Sequence, residues 1–286
     1  MNNFLKRTIS GVGFAAIMLA AFLTNEYIFG AVMLFCLVVM MWEFLHITCG
    51  NEYRYSQLLS ILAGATLFTL VYCHKAFDFP GRLIILSFVP VFLLMINSLY
   101  VKDKSRFDKF ANLYTAILYI AVPWSVINYA AFSSTGAFSG KLLLCFFGII
   151  WGSDVGAYIF GITLGQKYGK KLFPSISPKK SWIGFWGGML MAVGVAVALY
   201  KLNVFPPFNP DNEATNLCNY IAMAILLHVT GVYGDLIESQ WKRHYEVKDS
   251  GRIIPGHGGL LDRFDSALLA IPIGVIYLVV ADVLPL

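Results

Sequence analysis

The chain has 286 residues, of which 58% are hydrophobic and 13% charged, with a formal net charge of +5. Soluble domains carry roughly 25% charged residues, and the mean hydropathy here is +0.70. These values exclude a soluble two-domain reading of the length and point to a polytopic membrane protein. A helix needs about 20 mostly apolar residues to cross the hydrocarbon core, and such stretches recur along the whole sequence. They are expected near 8–24, 28–48, 56–73, 82–101, 111–132, 141–164, 182–201, 217–237 and 267–284. The first resembles a signal peptide in outline, but Thr24-Asn25-Glu26 is a poor cleavage site and a second span follows at once, so it is read as a retained helix. The Asn25-Glu26-Tyr27 connection predicts a tight hairpin between the first two spans. Pro90 and Pro123 lie inside spans and are expected to kink them. The five cysteines show no metal-ligand spacing and read as small buried hydrophobes.

The predicted fold is therefore all-α, with nine transmembrane helices, the N-terminus cytoplasmic and the C-terminus outside. Orientation follows the basic residues. With the N-terminus inside, Lys6 and Arg7, Arg54, the four between Lys102 and Lys109, the five between Lys167 and Lys180 and the five between Lys242 and Arg263 all face inward. That is 17 of the 21, leaving Lys75, Arg82, Lys141 and Lys201 outside. The expected organisation is an N-terminal set of about five spans over 1–140, then a catalytic transmembrane region over 141–286 with cytoplasmic loops at 165–181 and 238–266. The Pro-rich segment around Pro206 and Pro207 reads as an extended connection.

One stretch between two apolar segments breaks the pattern. From Ser239 to Asp265 it holds five basic residues, the carboxylates Glu246, Asp249, Asp262 and Asp265, two histidines and four glycines. That density suits a polyanionic phosphate and a divalent cation. On a helix, Asp235 and Glu238 are about 60° apart and Asp235 and Ser239 about 40° apart, so they share a face at the end of the eighth span. Carboxylates at membrane depth are costly and mark function. Asp262 and Asp265 open the ninth span, where capping of the helix N-terminus competes with a metal role. Magnesium takes one or two carboxylates plus phosphate oxygens, and Asp235 and Asp262 are the foremost candidates. Gly256-His257-Gly258-Gly259 permits close backbone approach and an anion-binding concavity, with His257 as donor. Arg263 offers a planar fork for phosphate oxygens. Lys242, Arg243 and Lys248 are either interfacial anchors or headgroup ligands. In the earlier loop Ser177, Lys179 and Lys180 precede the seventh span, whose N-terminus also favours anions, and Asp154 lies inside the sixth. Glu43 and His46 could pair with each other in the second span. They and His228 read as packed, hydrogen-bonded residues rather than ligands.

The run Ser239-Gln240-Trp241-Lys242-Arg243, then Lys248-Asp249, Pro255, His257-Gly258-Gly259-Leu260 and Asp262-Arg263-Phe264-Asp265 resembles the signature of the phosphatidate cytidylyltransferases, the CDP-diacylglycerol synthases. Trp241 departs from it, because the family usually carries an aliphatic residue there. Ser177-Pro178-Lys179-Lys180-Ser181-Trp182 and the stretch from Ser153 to Tyr158 are also similar to family segments, so the resemblance covers about 150–266. It implies joining CTP and phosphatidic acid into CDP-diacylglycerol and pyrophosphate. Asp235, Asp262, Arg263, His257 and Lys180 would be catalytic. Ser177, Lys179, Lys180, Lys242, Arg243, Lys248, Gly258, Gly259 and Arg263 would bind substrate. Asp235, Asp262, Asp265, Glu238 and Asp154 would surround Mg2+, with a second cation left open. The partners it implies are CTP, phosphatidic acid and membrane lipid, not nucleic acid; a homodimer is kept as a possible assembly. The expected location is the cell inner membrane, multi-pass, with the active site at the cytoplasmic face. The alternatives are a CTP-dependent polyprenol kinase and a transporter using Asp154, Asp235 and His228. A CDP-alcohol phosphotransferase is disfavoured because its Asp-Gly-x-x-Ala-Arg motif is absent.

Overall fold

The computed structural model of the chain describes residues 3–101, 107–133, 135–204, 213–256 and 258–281, with backbone alone at 3–7 and 213–214. His257, Leu286, the Pro-rich connection, Lys102, Lys104 and Arg106, and the side chains of Lys6 and Arg7 lie outside the described residues. Among the described residues the architecture is helical, as expected: α1 Asn3–Leu23, α2 Glu26–Cys49, α3 Arg54–Phe77, α4 Gly81–Ser98, α5 Phe107–Ala131, α6 Lys141–Tyr168, α7 Trp182–Lys201, α8 Glu213–His244 and α9 Leu261–Val280. Eight of these are long and apolar enough to cross a membrane. The apolar part of α1, Thr8–Leu23, is shorter. The exception to the all-helical pattern is a short antiparallel hairpin, β1 Lys171–Phe173 and β2 Ser177–Ser181, with Lys171 opposite Ser181 and Phe173 opposite Ser177.

The prolines mark irregularities of particular kinds. Pro90 sits near the start of the α-helical part of α4, after a 3-10 stretch from Gly81 to Ser87. In α5 a π-helical turn, Ile117–Ala121, ends two residues before Pro123. A proline has no N–H to donate to the preceding turn, and a local change of helical pitch accommodates that gap. The polar stretch after span eight is less of a loop than its composition suggests. α8 continues through Ser239 to His244, for 32 residues in all, or about 48 Å at 1.5 Å per residue. The hydrocarbon core needs only about 30 Å, so the charged end of α8 is regular helix beyond the apolar segment.

The chain divides into two compact units: residues 1–139 with 244–264, and residues 140–243 with 265–286. In the first unit α2 forms the centre, with Phe29, Met33, Leu37, Met40, Met41 and Leu45 fully enclosed. Trp124 donates its indole N–H to the Met33 carbonyl at 2.9 Å. Its ring meets Phe264 at 4.8 Å, and Phe264 also contacts Phe14 at 5.6 Å. Phe264 thus pins the beginning of α9 into this core. In the second unit α6 and α7 approach closely through small residues. A Cβ on Gly156 would strike the Gly187 carbonyl at 2.8 Å as well as Met191. Close backbone contact through glycine is a common means of helix association in membranes.

Candidate active site

The site residues fall into two groups, one in each unit. In the first unit the segment from Asp249 to Asp262 folds back on itself around two carboxylates. Asp262 Oδ2 accepts the Ser250 and Gly259 backbone N–H groups, both at 2.8 Å. Ser250 Oγ accepts the Asp262 N–H at 3.3 Å and donates to Glu43 Oε2 at 3.2 Å. Glu43 accepts two further donors, the Leu260 N–H at 3.0 Å and the Leu261 N–H at 2.8 Å. Those amides open α9 and have no acceptor within their own helix. A turn is closed by the Ile254 N–H on the Gly258 carbonyl at 3.1 Å. Gly256 and Gly258 have φ of 79° and 85°, a left-handed region that a side chain disfavours. A Cβ on Gly259 would meet Ser250 Oγ and Glu43 Oε2.

The Gly259 amide therefore donates to Asp262, and the exposed cations face outward instead. Lys248, Arg252 and Arg263 line a cavity of about 570 Å³ together with Asp249, Ile254, Pro255 and Gly258. Three flexible or forked cations around a glycine turn make a concave positive surface suited to phosphate oxygens. His257, placed by the sequence in this turn, lies outside the described residues.

In the second unit the hairpin carries Ser177, Lys179 and Lys180 to the end of α8. Lys180 Nζ contacts Asp235 Oδ2 at 2.6 Å, and Ser239 Oγ donates to Asp235 Oδ1 at 3.1 Å. The shared face predicted for Asp235 and Ser239 is real. Glu238 departs from it: the side chain is buried and pairs with Lys242 one turn on. Arg243 Nε donates to the Ile176 carbonyl at 3.4 Å, tying the hairpin tip to α8. Gln166 donates to the Lys179 carbonyl at 2.8 Å and accepts from Lys171 at 2.9 Å. Ser181 caps α7 by accepting the Gly184 N–H at 3.1 Å. A cavity of about 340 Å³ follows, its lining made of polar residues, Asp154, Asp235, Lys179, Lys180 and Ser181, together with Tyr158, Ile162, Leu172, Phe185 and Val232. Asp265 lies within electrostatic range of Asp235, Asp154 and Lys242, and its Oδ1 accepts the Ser266 N–H at 2.6 Å.

Three residues read earlier as packing groups behave differently from one another. His228 is fully enclosed, its Nδ1 2.7 Å from Ser153 Oγ and its ring 4.7 Å from that of Phe185, so it packs as expected. The Glu43–His46 pair is not formed. His46 stacks on Trp42 at 5.5 Å, while Glu43 turns inward to the amides of α9. Glu43 is the residue that sequence reasoning missed, because its partners are backbone groups more than 200 residues away and leave no side-chain signal.

Such features define a class, that of polytopic α-helical membrane proteins with lysine, arginine and carboxylate gathered beside their apolar helices. The chain belongs to the cytidylyltransferase family, whose model matches residues 5–281, and it is a nucleotidyltransferase of the membrane. It is 33% identical over 223 residues to a phosphatidate cytidylyltransferase of Staphylococcus haemolyticus, a match covering 78% of this chain and 80% of that one. Relatives of the same description from Staphylococcus epidermidis and Staphylococcus aureus are 37% identical over 191 residues, covering 67% of this chain and 66% of theirs.

Proposed function

We propose that this enzyme performs its transfer with the two charged groups described above, on the cytoplasmic side of the cell inner membrane. The reaction is that of a phosphatidate cytidylyltransferase. A phosphate oxygen of phosphatidic acid attacks the α-phosphorus of CTP, the bond from that phosphorus to the bridging β-oxygen breaks, and pyrophosphate leaves as CDP-diacylglycerol forms. Little covalent chemistry is asked of the protein, so positioning and charge neutralisation carry the rate.

The observation that carries this reading is the cavity of the second unit. Its lining combines apolar side chains such as Ile162, Leu172, Phe185 and Val232 with Lys179, Lys180 and Asp235, a mixture that suits an amphipathic phosphate. Lys180 neutralises Asp235 at rest and is free to exchange that partner for a phosphate oxygen. Lys248, Arg252 and Arg263 are assigned to phosphate in the cavity of the first unit. Lys242 is engaged with Glu238 and Arg243 with the hairpin, so both are assigned to holding the ends of α8 and the hairpin.

Magnesium is the proposed cofactor, and a carboxylate donor set fits it. Asp235, with Asp154 and Asp265 beside it, supplies hard oxygens in the second unit, and Asp262 is the candidate of the signature stretch. Among the described residues no three His, Cys, Asp or Glu side chains gather as a ready-made cage. That accords with an ion that completes its shell with water and substrate phosphate. When bound, it would neutralise triphosphate charge and polarise the phosphoryl oxygens. A homodimer is proposed only as the assembly to test.

The test of the reaction uses the purified chain with CTP and either phosphatidate or a polyprenol. Pyrophosphate release with phosphatidate alone is expected. Conversion of CTP to CDP with a phosphorylated polyprenol would replace this reading with a lipid kinase. The orientation is tested by cysteine labelling: Leu286→Cys and a cysteine near Ser250 at the exposed Ile253 should react from opposite faces of sealed vesicles, and reaction from one face would overturn it.

A further inference from the structure

We propose that Glu43 is a positioning residue for the transfer, a carboxylate in α2 that sets the conformation of the phosphate-binding segment from Asp249 to Arg263. Glu43 has no exposed surface, and a carboxylate out of water is costly unless its oxygens are hydrogen-bonded. Here they are: Oε1 accepts the Leu260 N–H, and Oε2 accepts the Leu261 N–H and the Ser250 hydroxyl. The donors come from both ends of the segment, so one side chain fixes its entry at Ser250 and its exit at Leu261. The segment is also shaped to admit that side chain. Cβ atoms on Gly251 and on Gly259 would each collide with the Glu43 carboxylate. Ser250 extends the arrangement to Asp262, because its hydroxyl also accepts the Asp262 N–H. Lys248, Arg252 and Arg263 are carried on this framework and line the cavity beside it. Glu43 does not line that cavity, so its influence on substrate passes through the backbone.

The inference rests on assigning that cavity to substrate phosphate. Glutamine at position 43 keeps the volume but replaces one acceptor with an N–H2 donor, which faces an amide N–H or the Ser250 hydroxyl in either rotamer. The full chain in detergent would be compared as wild type, Glu43→Gln and Ser250→Ala. For Glu43→Gln we expect an unchanged elution volume, and amide exchange at least about tenfold faster in peptides covering 249–262, with α3 unaffected. We expect kcat to fall by about tenfold to a hundredfold, as misplaced groups cost, with a smaller change in KM for phosphatidate. Ser250→Ala, which removes one of the three donors, should shift exchange and kcat the same way by less, and it decides the matter if Glu43→Gln does not fold. Unchanged exchange in the folded variants would overturn the latch. Faster exchange with wild-type kcat would overturn its positioning role. If the wild type released no pyrophosphate from CTP and phosphatidate, the reading of the reaction would fall, while the exchange data would still decide whether Glu43 holds the segment.

Discussion

The two charged regions hold their carboxylates in opposite ways. In the signature segment Asp262 and Glu43 accept backbone N–H groups and one serine hydroxyl, so the path of the chain places most of their donors. At the end of α8, Asp235 is held by the tips of two side chains, Lys180 and Ser239, which can swing away without disturbing a helix. One region is therefore held by its own backbone, and the other by side-chain contacts among apolar residues. Carboxylates of equal prominence in a sequence are thus held by different donors, backbone amides in one place and side-chain tips in the other.

The largest effects should separate the two kinds of carboxylate. Asp235→Asn removes the charge that Lys180 answers, and a loss of about 10²–10³-fold in kcat is expected with folding retained. Asp262→Asn is the sharper probe. An asparagine carbonyl can take the place of Oδ2 and keep both amide bonds, so these backbone contacts survive while the charge is lost. A loss comparable to that of Asp235→Asn is expected if Asp262 holds magnesium. Activity within about threefold of wild type would leave it a purely structural acceptor.

Gly259→Ala strikes at the framework alone. Its Cβ has no room beside Ser250 and Glu43, and overpacking typically costs about 1–3 kcal/mol. Faster exchange across 249–262 and a fall in turnover of about tenfold or more are expected. Normal exchange would mean that the segment tolerates more freedom than its contacts imply.

Smaller effects should distinguish the cations. Arg263→Lys replaces a fixed fork with a point charge, and about tenfold loss is expected, against less than about threefold for Lys180→Arg. Steady-state kinetics varying CTP and phosphatidate separately would show which substrate each cation serves. The smallest effect is on stability. Ser181→Ala removes the cap of α7 and should cost about 1 kcal/mol, read as a lower melting temperature with little change in turnover.

Much of this was legible in the chain. The apolar runs located most of the helices to within about four residues, because the hydrocarbon core sets a minimum apolar length, but they missed the charged end of α8 by seven residues and the charged start of α9 by six. The helical spacing of Asp235 and Ser239 correctly put them together. Glu238 sits only one position before Ser239 yet is buried against Lys242, since a helical wheel gives angles but not which side faces the protein. The continuation of α8 to His244 was hidden because charged residues in a polar setting support helix as readily as loop. Glu43 was hidden for a different reason. It bonds to amides, which every residue possesses, so no pattern of side chains announces it.

Transfer of the α-phosphorus of CTP to phosphatidate is tested most directly by supplying the purified protein, with magnesium and phosphatidate, with CTP labelled in the α- or the γ-phosphate. The α-label is expected in the lipid product and the γ-label in pyrophosphate. Appearance of the γ-label in the lipid, with the α-label left in CDP, would contradict that transfer.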